Sequence, residues 1–174
     1  IPETGTVDRP KNYHTFNGKI HQGWYASGVV AGLKLRELLD SQKITRNQAM
    51  VGFVAGRETA EEISAFTAFL LGVRSEAPEA MMRVRYTETW SSYAQEKSAA
   101  QNLIDAGCVV ISQHTDTIGP AIACEKAIET KPVYFVGYNQ SMSEVAPGAS
   151  LVTSRVCWEP YVLGAVDALM SNRK

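Results

Sequence analysis

Two hydrophobic periods alternate along this chain. From about Lys19 to Leu39, apolar residues at Ile20, Trp24, Val29, Val30, Leu33, Leu35 and Leu38 follow a helical spacing. Met50 to Ala55 is a short apolar run ending at Gly56, the pattern of a buried strand. A helix is predicted from about Ala60 to Val73, with Ile63, Phe66, Leu70 and Val73 on one face, and a second strand from Met82 to Thr87. Ser91 or Ser92 caps the next helix, with Glu96 or Gln95 as the capping-box partner, and that helix ends at Gly107. Cys108 to Ser112 reads as strand three, and Ile118 to Ile128 as a helix that tolerates Pro120 in its first turn. Pro132 to Gly137 is strand four, Leu151 to Val156 strand five, and Pro160 to Ser171 a final helix. Residues 1–17 are polar, carry Pro2, Pro10, Tyr13 and Phe16, and read as an incoming segment or a short edge strand.

Strands that alternate with helices predict a parallel sheet wrapped by helices, with right-handed crossovers. Ligands of such sheets bind at the carboxyl ends of the strands. Three strand patterns here end in polar and aromatic residues: Thr87-Glu88-Thr89-Trp90, His114-Thr115-Asp116-Thr117, and Tyr138-Asn139-Gln140. They are expected to lie side by side. An indole beside amide, hydroxyl and carboxylate groups suits a flat, polar-edged small molecule, and points to binding more than to chemistry. Trp158 follows strand five as either a second pocket wall or core. The first helix is crowded by Gly23, Ala26, Ser27, Gly28, Ala31 and Gly32. Each glycine inside a helix costs about 1 kcal/mol relative to alanine, so close approach of another backbone is expected there.

The 174 residues suffice for one domain with a substantial core, and 45% apolar content is that of a folded globular chain. A formal net charge of −1 with no basic run gives nothing that would hold nucleic acid. No window approaches an uninterrupted membrane span. Ile-Pro-Glu-Thr-Gly at the start has neither the basic end nor the apolar stretch of a signal peptide. Cys108, Cys124 and Cys157 fit no zinc spacing and are read as buried small hydrophobes.

Phosphate-loop, dinucleotide and nucleophile-elbow motifs do not occur, and His21 has no partner at metal-binding spacing, so no cofactor or metal is expected. His114 and Asp116 alternate as residues on one strand face do, and with Cys157 arriving from the next strand end they allow an enzyme reading. The alternative is that they line a strand-end cleft, with Asp116 or Thr117 as the N-cap of the following helix.

Several runs resemble one family in combination. They are G-K-I-H-Q-G-W-Y-A-S-G-V-V-A-G at 18–32, V-G-F-V-A-G, T-E-T-W with E-K-x-A-A after it, L-I-D-A-G-C-V-V-I-S-Q-H-T-D, V-G-Y-N-Q-S-M-S, and A-P-G-A-S-L-V-T-S. From Tyr13 onward the chain is similar to the basic-membrane-protein lipoproteins, the purine-nucleoside-binding proteins of ABC transporters. The resemblance implies an α/β three-layer sandwich with flavodoxin-like strand order. It would form one lobe of a type I periplasmic-binding fold, in which ligand is clamped between two lobes. Residues 18–174 resemble the second lobe, and 1–17 the end of a connection from a first lobe. Trp90 then falls where an aromatic stacks on the purine, and Asn139 where the family usually has an aspartate. The lysine expected near the end of strand five is replaced by the neighbourhood Arg155-Val156-Cys157-Trp158. Q-H-T-D and W-x-P-Y resemble an adenine- or adenosine-associated branch.

The site expected on this basis comprises Trp90, His114, Thr115, Asp116, Tyr138, Asn139 and Trp158. The expected partners are a purine or nucleoside, a first lobe and a membrane permease, outside the cytoplasm and with a lipid anchor in the full-length protein. A lobe without its partner is expected to self-associate as a dimer, with the small-residue helix as a second contact surface and exchanged N-terminal segments. A purine-responsive regulatory domain without transport, and a small α/β enzyme built on His114, Asp116 and Cys157, are the other readings.

Overall fold

A computed structural model describes residues 16–171 of the chain. The elements are α1 (Ile20–Asp40), a 3-10 turn (Arg46–Gln48), β1 (Met50–Ala55), α2 (Ala60–Glu76), β2 (Met81–Tyr86), α3 (Tyr93–Asp105), β3 (Val110–Gln113), α4 (Gly119–Ile128), β4 (Tyr134–Tyr138), β5 (Ser150–Ser154) and α5 (Glu159–Met170). The five strands form one parallel sheet in the order β2-β1-β3-β4-β5. That order starts in the middle and grows outward on both sides, as the flavodoxin-like expectation requires. The predicted edge strand within residues 1–17 lies almost wholly outside the described residues.

Alternate residues of the strands supply two separate cores, which makes the three layers. Val51, Phe53, Ala55, Val110 and Val136 face α1 and α2, where Trp24, Leu35, Leu38, Phe69 and Val73 are buried. Val54, Ile111 and Phe135 face α3 and α4, against Leu103, Ile104, Ala121 and Cys124. β1 and β3 are buried along nearly their whole length, whereas the edge strand β2 alternates between exposed and half-buried positions.

The small residues of α1 are explained by α2. A Cβ on Gly28 would lie 2.1 Å from the Phe69 carbonyl oxygen, and one on Gly32 would lie 2.5 Å from that of Val73. From the other side, a Cβ on Gly72 would lie 2.1 Å from the Tyr25 carbonyl oxygen. The two helices meet backbone to backbone, as the glycine content predicts. This contact is internal, so the expectation that the same face pairs with a second copy is corrected: α2 already covers it.

Packing also turns α2 relative to the sequence pattern. Its buried positions are Glu62, Ala65, Phe69, Gly72 and Val73, while Ile63 is 43% exposed. Contact through Gly72 sets this face, and it draws Glu62 into the interior. Cys108 and Cys124 are buried as expected, and burial pushes the Cys108 thiol up to about 11. Cys157 is exposed, contrary to expectation, because it lies in the open connection between β5 and α5.

α5 differs from the other helices. None of its residues is buried, and Leu163, Leu169 and Met170 are 68%, 79% and 84% exposed. The hydrophobic pattern that predicted a packed helix is present, but the sheet does not receive it.

Candidate functional site

The carboxyl ends of the strands place an aromatic cluster around one imidazole. β3 ends at Gln113, and the next residue, His114, is 6% exposed. Its ring lies edge-on to Tyr138 at the end of β4, with centroids 4.6 Å apart and planes at 86°. Trp90, from the loop after β2, approaches it at 6.0 Å and 74°. Trp24 of α1 closes the cluster, 5.6 Å from His114 and stacked on Tyr138 at 5.2 Å and 21°. Strand order explains the assembly: β1 separates β2 from β3 and ends at Ala55, so its end must be low enough for an indole to cross. Gly56 provides this, since a Cβ there would meet the Trp90 ring at 2.6 Å. The indole rests on the Gly56 backbone and keeps 38% of its surface exposed, which leaves it available to a stacked ligand.

Hydrogen bonds fix the loops that carry these rings. The Asp116 N–H donates to the Trp90 carbonyl at 2.9 Å, and the Arg57 Nε–H donates to the Glu88 carbonyl at 3.0 Å. The Gln113 amide donates to the carbonyls of Thr115 and Thr117 at 2.7 and 2.8 Å. Glu96 is fully buried and accepts from the Ser92 N–H, the Thr117 N–H and the Thr117 hydroxyl at 2.8, 3.0 and 2.7 Å. One carboxylate thus ties the start of α3 to the loop before α4. Ser92 occupies the N-cap as predicted, but its side chain makes no cap bond; Glu96 satisfies its backbone N–H instead. Before α4 the N-cap position is Ile118, one residue beyond Thr117 and two beyond Asp116, the two expected caps. Thr117 still serves the helix by accepting from the Gly119 N–H at 3.3 Å.

Beneath the cluster lies a residue the sequence reading did not select. Glu62 is fully buried; its Oε1 accepts from the Gly56 N–H at 2.8 Å, and its Oε2 lies 3.2 Å from His114 Nδ1. Trp24 and Gly56 were likewise read as helix core and strand end. Their signal was only positional: a large ring on the first helix, and a glycine where a strand terminates.

The other predicted residues separate. Thr115 is buried with its hydroxyl turned into the protein, while Asp116 is exposed. His114 and Asp116 therefore do not share a face, because β3 has already ended and Asp116 is held to the Trp90 loop. Asn139 has a left-handed backbone (φ 59°), and its Oδ1 accepts from the Val156 N–H at 3.1 Å, joining β4 to the chain after β5. Trp158 stands apart from the His114 cluster. It meets Phe16 edge-on at 5.5 Å and is 43% exposed, so it is not core. A hollow of about 130 Å³ lies beside Tyr138, lined also by Lys19, Ser154 and Arg155. Lys19, just before α1, thus lines the same hollow as the end of strand five, which has no lysine of its own.

Burial holds the Tyr138 phenol above its ordinary pKa, against a contact with the Asn139 side chain that pulls it down. Glu61, Asp116 and Glu62 add negative charge nearby. The phenol stays protonated and can donate. Cys157 shows the reverse of nucleophile activation. Its thiol donates to Glu159 Oε2 at 2.8 Å, and that bond, with burial and the Glu159 charge, raises its pKa. Among the described residues, no group of three His, Cys, Asp or Glu side chains could hold a metal ion.

The model of the Bmp family, ABC transporter substrate-binding proteins that are PnrA-like, matches residues 3–174. The chain belongs to this family. A purine-binding protein of Brucella abortus is 26% identical over 162 residues, covering 92% of this chain and 42% of that protein. A putative ABC transporter glucose-binding protein of Haloferax volcanii is 28% identical over 159 residues, covering 91% of this chain and 37% of that protein. The Bmp-family chain thus spans about two fifths of the length of these curated relatives. An ABC transporter solute-binding protein of Aeropyrum pernix shares the fold with a TM-score of 0.71 at 15% identity, over 88% of this chain and 42% of that one. A lobe of a periplasmic-binding-protein fold is therefore the architecture of this Bmp-family chain, and the family is one of solute-binding proteins, not of enzymes.

Proposed function

We propose that this chain is one ligand-binding lobe of an extracytoplasmic purine or purine-nucleoside receptor, leaning toward adenine or adenosine, that delivers its ligand to an ABC-transporter permease. The observation that carries the reading is the strand-edge cluster. Trp90 offers a half-exposed indole face, and His114 and Tyr138 stand edge-on beside it with polar atoms for a heterocycle's rim. Stacking of a base on an aromatic ring, with hydrogen bonds at the base edge, is how proteins hold unpaired bases generally. Asp116 and Asn139 would lie at the cleft margin. Thr115 shapes the loop from inside, and Trp158 stands beside Phe16, away from the His114 cluster. A Brucella protein named as purine-binding supports the ligand class, while the Haloferax protein is named for glucose.

In this reading residues 18–174 are the second lobe and 1–17 a connection from a first lobe. The apolar surface of α5, with Phe16 packed 3.9 Å from Tyr161, supports a further packing partner. In the whole receptor that partner is the first lobe, which also closes over Trp90. The full-length protein would be held to the membrane surface by a lipid; no helix among the described residues is long and apolar enough to cross a membrane.

Calorimetry of the isolated chain with adenosine, inosine and guanosine tests the reading. Weak binding is expected, because a base stacked on one lobe keeps its other face in water. Submicromolar affinity by a monomer refutes the two-lobe account. The same surface drives pairing of the isolated chain with a second copy. Sedimentation should therefore show a concentration-dependent dimer, and a monomer at every concentration rejects that part of the proposal.

A further inference from the structure

We propose that Glu62 is a positioning residue for the strand-edge cluster. It holds the His114 imidazole with Nδ1 protonated, so that Nε2 is the nitrogen presented to a ligand. Two buried side-chain atoms in this cluster lack hydrogen-bond partners. Glu62 Oε2 and His114 Nδ1 are both sealed from solvent and make no hydrogen bond, yet they lie 3.2 Å from each other. Their contact is at ion-pair distance, short of full hydrogen-bond alignment. A buried carboxylate oxygen left unpaired is costly, and so is a buried ring nitrogen. With Glu62 as a carboxylate, which can only accept, the two satisfy each other when the nitrogen carries the proton.

The orientation of Glu62 is itself fixed. Its other oxygen accepts from the Gly56 N–H at 2.8 Å, and its backbone N–H meets the Thr59 hydroxyl, the N-cap of α2, at 3.3 Å. The residue therefore joins three parts of the site: the start of α2, the glycine under the Trp90 indole, and the imidazole. On the far side of the ring, Nε2 has no hydrogen-bond partner among the described residues and is not sealed off as Nδ1 is. The rings of Trp90, Tyr138 and Trp24 surround the imidazole and supply no competing charge. On a neutral ring, Nε2 is then an acceptor and selects a ligand edge that offers an N–H or O–H. An exocyclic amine of a purine has this chemistry, and a carbonyl at the same position lacks it. This statement about the ligand rests on the purine reading above; the statement about the ring does not.

Glu62→Gln turns the geometry into a test. The Gly56 N–H still requires an acceptor, so the glutamine oxygen takes the place of Oε1 and its NH2 faces His114. That NH2 can only donate, which strips the proton from Nδ1 and moves it to Nε2. Long-range proton–nitrogen correlation spectra of the ¹⁵N-labelled full chain report this directly. His114 is assigned by comparison with His114→Gln among the chain's three histidines. The expected result is a protonated Nδ1 in the wild type and an unprotonated one in Glu62→Gln. An unprotonated Nδ1 in the wild type, or a variant whose ring is unchanged, overturns the proposal. The wild-type spectrum decides alone if the variant does not fold. Calorimetry with adenosine and inosine forms the second arm. The ratio of their affinities should move by about tenfold toward inosine in Glu62→Gln, the effect of exchanging an acceptor for a donor at one buried contact. A proton shift in the spectra with no binding of either nucleoside supports the role of Glu62 and rejects the purine reading, so the two failures are distinct.

Discussion

Gly72→Ala should destabilise the domain even though alanine is the better helix former. The substitution favours the helical state by about 1 kcal/mol. Against this, the new methyl would sit 2.1 Å from the Tyr25 carbonyl oxygen, 2.9 Å from the Val29 nitrogen and 3.0 Å from Gly28 Cα. All three are backbone atoms and none can rotate away. Ordinary contact needs roughly 3.5 Å, so relieving the shortest of these contacts takes a shift of about 1.4 Å, and a gap of even about 1 Å between α1 and α2 forfeits up to half of each van der Waals contact across it. Trp24, Leu35, Phe69 and Val73 lie in this core. Overpacking costs of about 1–3 kcal/mol are usual, and a rigid backbone neighbour puts this case near the top. The net loss is about 2 kcal/mol, or roughly 4–8 °C in Tm for a domain of this size. Urea denaturation followed by tryptophan fluorescence measures it. Gly164→Ala in α5 is the control: nothing lies within 4 Å of a Cβ there, so only the propensity gain remains and the domain should be stabilised by up to about 1 kcal/mol. A Gly72→Ala protein as stable as wild type would show that the helices are not in backbone contact.

Three further outcomes are expected. Trp90→Ala in a protein carrying both lobes should weaken purine binding by about 1–3 kcal/mol, the range of base–aromatic stacking, as read by calorimetry; unchanged affinity with intact folding returns Trp90 to covering the sheet edge. Glu96→Gln should cost about 1–3 kcal/mol and speed hydrogen exchange at the Thr117 amide, since glutamine cannot accept from all three of the donors that meet this buried carboxylate. Native chain at pH 8 should react with a thiol reagent at Cys157 alone. Burial holds the Cys108 thiol at about 11 and raises Cys124 further, so two more equivalents should appear only on denaturation. Fast labelling of all three in the native state would contradict the packing of β3 and α4.

Periodicity alone determined the order of helices and strands, because a period of 2 or 3.6 is a local property that each segment carries whatever its neighbours. β1 was legible to the residue, since its apolar run is bounded by Gly56 and its flanks are polar. The glycines of α1 announced a close backbone contact but not its partner, which only the fold identified as Gly72 and its neighbours in α2. The strand-edge rule brought Trp90, His114 and Tyr138 together correctly, because parallel strands end on one side of the sheet. It failed for Asp116, whose exposure depends on where β3 stops. Glu62 could not be found from the sequence: an acidic residue in the first turn of a helix reads as solvated, and only the position of α2 against the ends of β1 and β3 buries it beside an imidazole. α5 shows the converse. Its sequence is apolar enough to be core, yet burial is a property of what lies opposite, and the sheet of this chain offers α5 nothing to lie against.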